Sequence, residues 1–389
     1  MNRLKKGVLI TLSFLLCGAL LIQLTNNNHV YRAVAYTYLK GRTGPGIEDH
    51  KYFKHTDVVA KNYRALPNSS SYNKKELTPE ELAIIEKYKT EAFLVIKNDS
   101  VVYEHYWDGY SEDSRSNSFS MAKTIVSILV GIAINEGKIK NIDQPVADFI
   151  PSFKVGVKQQ ITIRHLVTMS SGIGFDEHYK NPLAYPAKAY YGKDINKLTL
   201  GYEATEQPGK VFNYLSGNTQ LLGIILESAT GLSLNEYASQ KLWNPINAKN
   251  TAWWDIDDAG NEKAYCCFNS NARDFSRIGL LYLHKGKWND KQIVSEQYAS
   301  ESVVPANLVN TRGEKNTCYG YSWWIMNYKT KNIFYARGIL GQYVFVVPSE
   351  NLVVVRLGWD RAKRKETDDH SPDAYSYLDI ALNKYATNN

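Results

Sequence analysis

Ser120 and Lys123 lie three positions apart at the start of an apolar segment, and this arrangement indicates nucleophilic chemistry. Residues 124–137 have the length and spacing of a helix ending in glycine, so Ser120 would lie in its first turn, with Lys123 one turn later on the same face. A serine becomes a nucleophile when a base takes its proton, and a lysine with a lowered pKa can be that base. A second Ser-x-x-Lys, Ser71 to Lys74, lies in a polar stretch without an apolar helix and is interpreted as a solvated loop.

Two segments further along the chain could complete a site of this kind. Tyr214 lies in a loop just before a predicted helix at 219–230, and a tyrosinate can act as a general base where a nearby ammonium lowers its pKa. Gly338 and Gly341 lie beside a predicted strand and allow a substrate to approach the backbone closely. A backbone N–H group there could stabilise an oxyanion.

The order of these three elements resembles the serine β-lactamase-related superfamily, above all its class C β-lactamases, family VIII esterases and aminohexanoate-dimer hydrolases. Segments at 161–173, 208–231 and 272–288 resemble family segments in the same order, and the likeness covers about residues 80–385. The resemblance implies an α+β fold of the β-lactamase/transpeptidase-like type. This fold has an antiparallel sheet flanked by helices and an all-helical region beside it, with the site at their junction.

The resemblance also implies a role for each matching residue. Ser120 matches the acylated nucleophile, Lys123 the lysine that relays its proton, and Tyr214 the general base that later protonates the leaving group. The backbone N–H groups of Ser120 and Ile339 would form the oxyanion hole. The remaining residues implied to border the substrate are Ser216, Arg337 and Gly338.

Two departures from the class C pattern bear on the substrate. The segment Ala336-Arg337-Gly338 stands where class C enzymes carry Lys-Thr-Gly, so the lysine that helps to bind the β-lactam carboxylate is missing, although Arg337 could partly substitute. Ser216 stands where the family has asparagine. Both changes favour an esterase or amidase. The alternatives are a D,D-peptidase or β-lactamase acting at the cell wall, and a catalytically silent binding protein of the same fold.

Composition and motifs argue against several other classes of function. The net charge of +7 over 389 residues is modest and comes with no nucleic-acid-binding motif, so no nucleic-acid partner is predicted. Residues 255–260 resemble a calcium loop only in part, because its twelfth position is Cys266 rather than glutamate. His165 is interpreted as structural. We therefore predict a small-molecule ester or amide as partner, with no metal and no cofactor, and leave the oligomeric state open.

The first 25 residues are predicted to direct the chain to a membrane. A basic segment at 1–6 precedes an uncharged apolar stretch at 7–24, which as a helix would be roughly 27 Å long, close to the hydrocarbon thickness of a bilayer. No clear small-x-small cleavage site follows, which favours an uncleaved signal anchor over a cleaved signal peptide. The catalytic domain is therefore expected to be membrane-anchored in the periplasm or outside the cell, or secreted if cleavage occurs.

The rest of the chain is predicted to divide into a polar, irregular stalk or N-terminal extension at 26–77 and a hydrolase domain at 78–389. Strand-like segments near both ends of this domain, with helices between them, predict one sheet built from N- and C-terminal strands. The loop at 175–198 carries several tyrosines and would either line a cleft or pack as ordinary surface. Cys266 and Cys267 are not expected to bridge each other, because adjacent cysteines rarely do. Buried thiols are therefore favoured for Cys266, Cys267 and Cys318, with a bridge from Cys318 to one of the other two as the alternative.

Overall fold

The computed structural model of the chain describes residues 3–387, which form helices and β-sheets. Helices α1 to α12 span Arg3–Leu24, His29–Tyr36, Pro79–Lys87, Met121–Asn135, Ile163–Val167, Tyr185–Tyr191, Ile195–Leu200, Ser216–Thr230, Leu234–Ala238, Ala272–Leu283, Glu296–Ser302 and Pro372–Tyr385. Strands β1 to β14 span His55–Val58, Thr90–Lys97, Ser100–Tyr106, Ser116–Asn117, Val211–Phe212, Ala252–Asp255, Phe268–Ser270, Lys287–Trp288, Lys291–Gln292, Val309–Asn310, Trp324–Tyr328, Lys331–Gly338, Gln342–Val347 and Leu352–Gly358.

The main sheet joins the two ends of the domain. Its six strands follow the order β11-β12-β13-β14-β2-β3, and each neighbouring pair is antiparallel. The early hairpin β2–β3 is attached through β14, where Val354 lies opposite Val95. The predicted α+β architecture, with one sheet assembled from N- and C-terminal segments, is confirmed.

Both faces of this sheet are buried, which explains the nearly continuous apolar runs of its central strands. Side chains alternate along a strand, so Leu94 packs in the core on the α4 and α10 side, while Phe93 packs with α12. Gly279 allows α10 to lie close to the sheet, because a Cβ there would come within 2.7 Å of Val353. The helices therefore hold the sheet as the middle of three layers.

Helix α4 passes through the centre of the domain and carries the predicted nucleophile at its start. Its residues from Met121 to Ala133 are all buried. It packs against α8 in the helical region and against β12 of the sheet. The site that the sequence places on α4 thus lies where the sheet and the helical region meet.

The ends of two helices can be compared with what the sequence offers. Thr78 and Glu81 form a capping box at the start of α3, with a proline at the first position of the helix. Helix α8 begins at Ser216, three residues earlier than expected. The middle of the chain also contains short strands, β5 to β10, that the sequence did not indicate, because strands of two to four residues have too few positions to show alternation.

The segment at 26–77 is more ordered than the predicted irregular stalk. It contains α2, and β1 pairs antiparallel with β6. Ile47, Val58 and Leu66 are buried against the rest of the chain. The segment therefore wraps the domain, while the division of the chain at residue 78 stays a prediction.

The prediction of unpaired thiols is wrong for two of the cysteines. Cys266 and Cys267 are joined by a disulfide between adjacent residues, and only Cys318 is a buried free thiol as expected. The backbone of Cys267 turns through a positive φ of 67°, and this turn accompanies the approach of the two side chains. Disulfides between adjacent cysteines are rare in general, but the local backbone geometry at Cys267 accommodates one.

Candidate active site

Ser120 is positioned by a strained turn between β4 and α4. Phe119, just before it, is buried with φ of +44°, a left-handed conformation that a bulky residue rarely adopts. Its N–H group donates to Asn117 Oδ1 at 2.8 Å, and the Ser118 N–H group donates to the carbonyl of Phe268 at 2.9 Å. Contacts on both sides of the chain thus hold Ser120 at the first turn of α4, and local strain of this kind is typical of functional sites.

Lys123 faces Ser120 inside the protein. Its Nζ lies 3.0 Å from Ser120 Oγ and donates to the carbonyl of Tyr265 at 2.9 Å. The residue is only 1% exposed, and this burial lowers the pKa of Lys123 to about 7, against the opposing charge of Glu177. Near neutral pH a substantial fraction of the amine is therefore uncharged and able to accept a proton.

Tyr214 lies beside this pair. Its ring centroid is 5.2 Å from Lys123 Nζ and 5.3 Å from the ring of Trp324. Burial raises the pKa of Tyr214, although a hydrogen bond with Ser120 and the charge of Arg337 act in the opposite direction. The phenol therefore stays protonated at rest, which differs from the tyrosinate considered from the sequence and suits a proton donor.

Glu177 belongs to the site but carries no sequence signal of its own. Its carboxylate accepts hydrogen bonds from the Ser216 N–H group at 2.9 Å, from the Ser216 hydroxyl and from the Tyr179 hydroxyl at 2.9 Å. Since Ser216 follows Tyr214 by two residues, Glu177 fixes the start of α8. The position of Glu177 in the tyrosine-rich loop at 175–198 was the only hint.

The tyrosines of that loop separate into two groups. Three of them pack inside the protein, and one is exposed: the buried ones are Tyr185, Tyr190 and Tyr191, and the exposed one is Tyr179. Most of the loop's aromatic content therefore serves packing, while the segment near Glu177 approaches the candidate site.

The end of β12 closes against the turn that precedes Ser120. A Cβ on Gly338 would lie 2.2 Å from the carbonyl oxygen of Ser118, so only glycine allows this approach. Ile339 follows at the start of a short 3₁₀ segment, Ile339–Gly341, in which Leu340 has φ of +62°. The structure thus brings Gly338 to the turn before Ser120, while the oxyanion role of Ile339 stays a prediction.

Arg337 lies one ring away from Tyr214. Its guanidinium stacks on Trp324 at 3.3 Å, and Nη1 donates to the carbonyl of Asp369 at 2.7 Å. The same indole packs against Tyr214. Nη1 also donates to the Tyr335 hydroxyl at 3.4 Å. Arg337 therefore has three partners within the protein, which limits its freedom to replace the missing lysine of the class C pattern.

A metal-binding cluster or a second cavity could also carry chemistry. Among residues 3–387, no group of three or more His, Cys, Asp or Glu side chains is arranged to hold a metal ion. A surface cavity of about 620 Å³ is lined by residues from the end of α10 and its surroundings, including Arg64, His284 and Trp288, and by none of the site residues above. We assign it no catalytic role.

Comparisons with known proteins agree with this geometry. The family model described as Beta-lactamase matches residues 85–373. A 6-aminohexanoate-dimer hydrolase from Paenarthrobacter ureafaciens is 26% identical over 296 residues, which cover 70% of this chain and 73% of the relative.

Two solved structures share the fold. A candidate 6-aminohexanoate-dimer hydrolase from Bacillus anthracis has a TM-score of 0.74 at 24% identity, covering 91% of this chain and 94% of its own. A candidate beta-lactamase from Bacteroides dorei has a TM-score of 0.64 at 18% identity, covering 79% and 99%.

Proposed function

Because the chain belongs to the beta-lactamase family, we propose that it hydrolyses esters or amides through an acyl-enzyme on Ser120. The observation that carries this proposal is the buried Lys123 amine, 3.0 Å from Ser120 Oγ and with a pKa lowered to about 7. A base of this pKa can accept a proton at neutral pH and return it later in the same cycle. The positions of Tyr214, Gly338 and Glu177 around Ser120 and Lys123 support the same proposal.

In acylation, the neutral Lys123 amine takes the proton of Ser120 while Oγ bonds to the carbonyl carbon of the substrate. The carbonyl electron pair moves to oxygen, where the N–H groups of Ser120 and Ile339 would stabilise the anion. The intermediate then expels the alcohol or amine, which takes a proton from the Tyr214 hydroxyl. The Lys123 ammonium returns its proton to the resulting tyrosinate.

In deacylation, a water molecule attacks the acyl carbon and loses a proton to Lys123. The bond to Ser120 Oγ breaks, Oγ takes the proton back from the Lys123 ammonium, and a carboxylic acid leaves. Protons and charges balance over the cycle, so no group outside the chain is needed to regenerate the enzyme.

Esters and amides are proposed in preference to β-lactams. Arg337 is already engaged with Trp324 and the Asp369 carbonyl, and no lysine stands in the segment at 336–338. Loss of a charge-assisted contact to the β-lactam carboxylate costs about 1.5–3 kcal/mol, or roughly ten- to a hundredfold in affinity. The name of the Paenarthrobacter relative, a hydrolase of a 6-aminohexanoate dimer, favours amides of short aliphatic chains among the substrates to test.

Labelling by a fluorophosphonate probe tests the nucleophile. Ser120→Ala should abolish labelling and hydrolysis, whereas Ser71→Ala, in the second Ser-x-x-Lys of the chain, should leave both unchanged. Turnover is then compared on a short nitrophenyl ester, an aliphatic amide and a chromogenic cephalosporin. A cephalosporin rate equal to or above the ester rate would identify a β-lactamase, and a folded protein that neither labels nor turns over would be a silent binding protein.

We also propose that α1 anchors the enzyme in a membrane, with the catalytic domain on the outer side. Residues Lys5–Leu24 have a mean hydropathy of 2.3 and are not covered by the domain. Membranes washed with carbonate should retain the full-length protein, and external protease should reach the domain. Recovery of a soluble chain lacking its first residues would instead indicate a cleaved signal peptide.

A further inference from the structure

Apolar side chains on one side of α2, and just after it, are uncovered. Tyr31, Val34, Tyr38 and Leu39 are between 39% and 75% exposed. Tyr31 and Val34 lie three positions apart, on one face of the helix, whereas Ala33 and Tyr36 pack against the domain core. We call these four exposed residues the α2 patch. Four exposed apolar residues in so short a segment make it a candidate interaction surface.

The α2 patch adjoins the outer end of the candidate membrane helix. Only residues 25–28 separate α1 from α2. The Tyr31 hydroxyl donates to the carbonyl of Ala19 at 2.8 Å, which ties α2 to the last turns of α1. The patch therefore continues the apolar surface of α1 at the level where a spanning helix leaves the hydrocarbon layer.

One loop connects this region to the candidate active site. At one end of it, Glu177 accepts hydrogen bonds from Ser216. At the other end, the carbonyl of Pro182 accepts a hydrogen bond from His29 Nε2 at 2.7 Å, and His29 is the first residue of α2. Tyr179 and Leu183 of the same loop are about half exposed. The candidate site and the α2 patch thus lie at two ends of a segment of six residues.

We propose that the α2 patch, together with Tyr179 and Leu183, lies in the interfacial layer of a lipid bilayer. Tyrosine is enriched at this depth, since its ring is apolar and its hydroxyl is wet. Lys40 and Lys180 are exposed beside these residues and form no ion pair within the described part of the chain, so they can meet lipid phosphates. The lipid surface, rather than a second protein, is chosen because α1 already brings the patch to it.

The membrane placement implies a class of substrate, and this implication rests on the proposed function. A site beside the bilayer surface receives amphiphilic esters or amides whose apolar chain stays among the lipids while the carbonyl reaches Ser120. The candidate site would then act on membrane-dissolved substrates more effectively than its activity on soluble esters indicates.

The test uses the full-length protein in vesicles of phosphatidylcholine and phosphatidylglycerol. The double variant Val34→Asp, Leu39→Asp places charge in the patch, and neither residue belongs to the catalytic machinery. The control is Val155→Asp, Val304→Asp, which charges two valines that are also well exposed but lie outside α2 and the loop. Turnover is measured on water-soluble nitrophenyl acetate and on nitrophenyl palmitate dissolved in the vesicles.

We expect the patch variant to lose about tenfold on the palmitate and to keep its acetate rate within about twofold, with both rates unchanged in the control. Equal losses on both esters, or the same loss in the control, would overturn the proposal. A second readout does not depend on activity. A fluorophore attached to Leu39→Cys in a Cys17→Ser background should be quenched by lipids brominated near the headgroup.

The two proposals fail in different ways. Quenching without any ester hydrolysis would retain the membrane placement and reject the proposed function. Hydrolysis without quenching would retain the function and reject the placement. A dimer in detergent whose contact protects the fluorophore would show that a second copy of the chain covers the patch, and would also overturn the lipid assignment.

Discussion

The carbonyl of Tyr265 accepts a hydrogen bond from Lys123 Nζ at 2.9 Å. When the amine is neutral, donation to this carbonyl fixes the direction of one N–H group and leaves the nitrogen lone pair free to face Ser120 Oγ, 3.0 Å away. The Tyr265 carbonyl therefore orients the candidate base. The carbonyl is held by a backbone segment that continues directly into the Cys266–Cys267 disulfide.

The pH dependence of the reaction should follow Lys123. Burial lowers the pKa of Lys123 to about 7, and only the neutral amine can take the Ser120 proton. On an ester substrate, kcat/KM should therefore rise with pH and reach half its maximum near pH 7. A profile that stays flat between about pH 5 and 9, after subtraction of spontaneous hydrolysis, would argue against Lys123 as the base.

Glu177→Gln should move this profile to lower pH. The negative charge of Glu177 raises the pKa of Lys123 against the effect of burial, so its removal lets that pKa fall further. Glutamine keeps an oxygen that can accept from Ser216, which limits structural damage. Asp176→Asn, at the neighbouring exposed carboxylate, is the matched control and should leave the profile in place. An unshifted profile in Glu177→Gln would mean that the carboxylate acts only through its contacts with α8.

Tyr214→Phe and Lys123→Ala should not be additive. Each should lower kcat/KM by about a hundredfold or more, because the proton path from Ser120 through Lys123 and Tyr214 to the leaving group is interrupted in both. If the two residues serve one proton path, the double variant should be little worse than the poorer single variant. Phenylalanine keeps the packing against Trp324, so the folded state should survive. Losses that multiply would indicate two independent roles.

Gly338→Ala should damage the site through the backbone. Its Cβ would lie 2.2 Å from the carbonyl oxygen of Ser118, so β12 and the turn before Ser120 must separate. Overpacking of this kind lowers the free energy of unfolding by about 1–3 kcal/mol. It should reduce kcat and have a smaller effect on KM. Gly44→Ala, with open space around its Cβ, is the control. Normal thermal stability and turnover in Gly338→Ala would show that the strand end moves freely.

The sequence indicates the candidate nucleophile because its signals are local. Ser120 and Lys123 lie at the start of one helix, which the long apolar segment after them predicts. Their closeness was therefore predictable. The approach of Tyr214 was supplied only by resemblance to a family, since nothing near it in sequence points to α4. Glu177 and the Tyr265 carbonyl could not be found in this way, because their roles arise from contacts between distant segments. A carbonyl group, in addition, carries no residue identity.

The order of strands in the main sheet has a consequence for biosynthesis. Strand β2 is synthesised long before its partner β14. Until β14 arrives, β2 presents an unpaired edge, and the end of β12 that meets Ser118 is made only shortly before β14. If α1 stays in the membrane, the β2–β3 hairpin keeps this unpaired edge on the outer side until the chain as far as β14 has crossed. A chain cut short before residue 352 should therefore be a substrate for proteases rather than a partial enzyme.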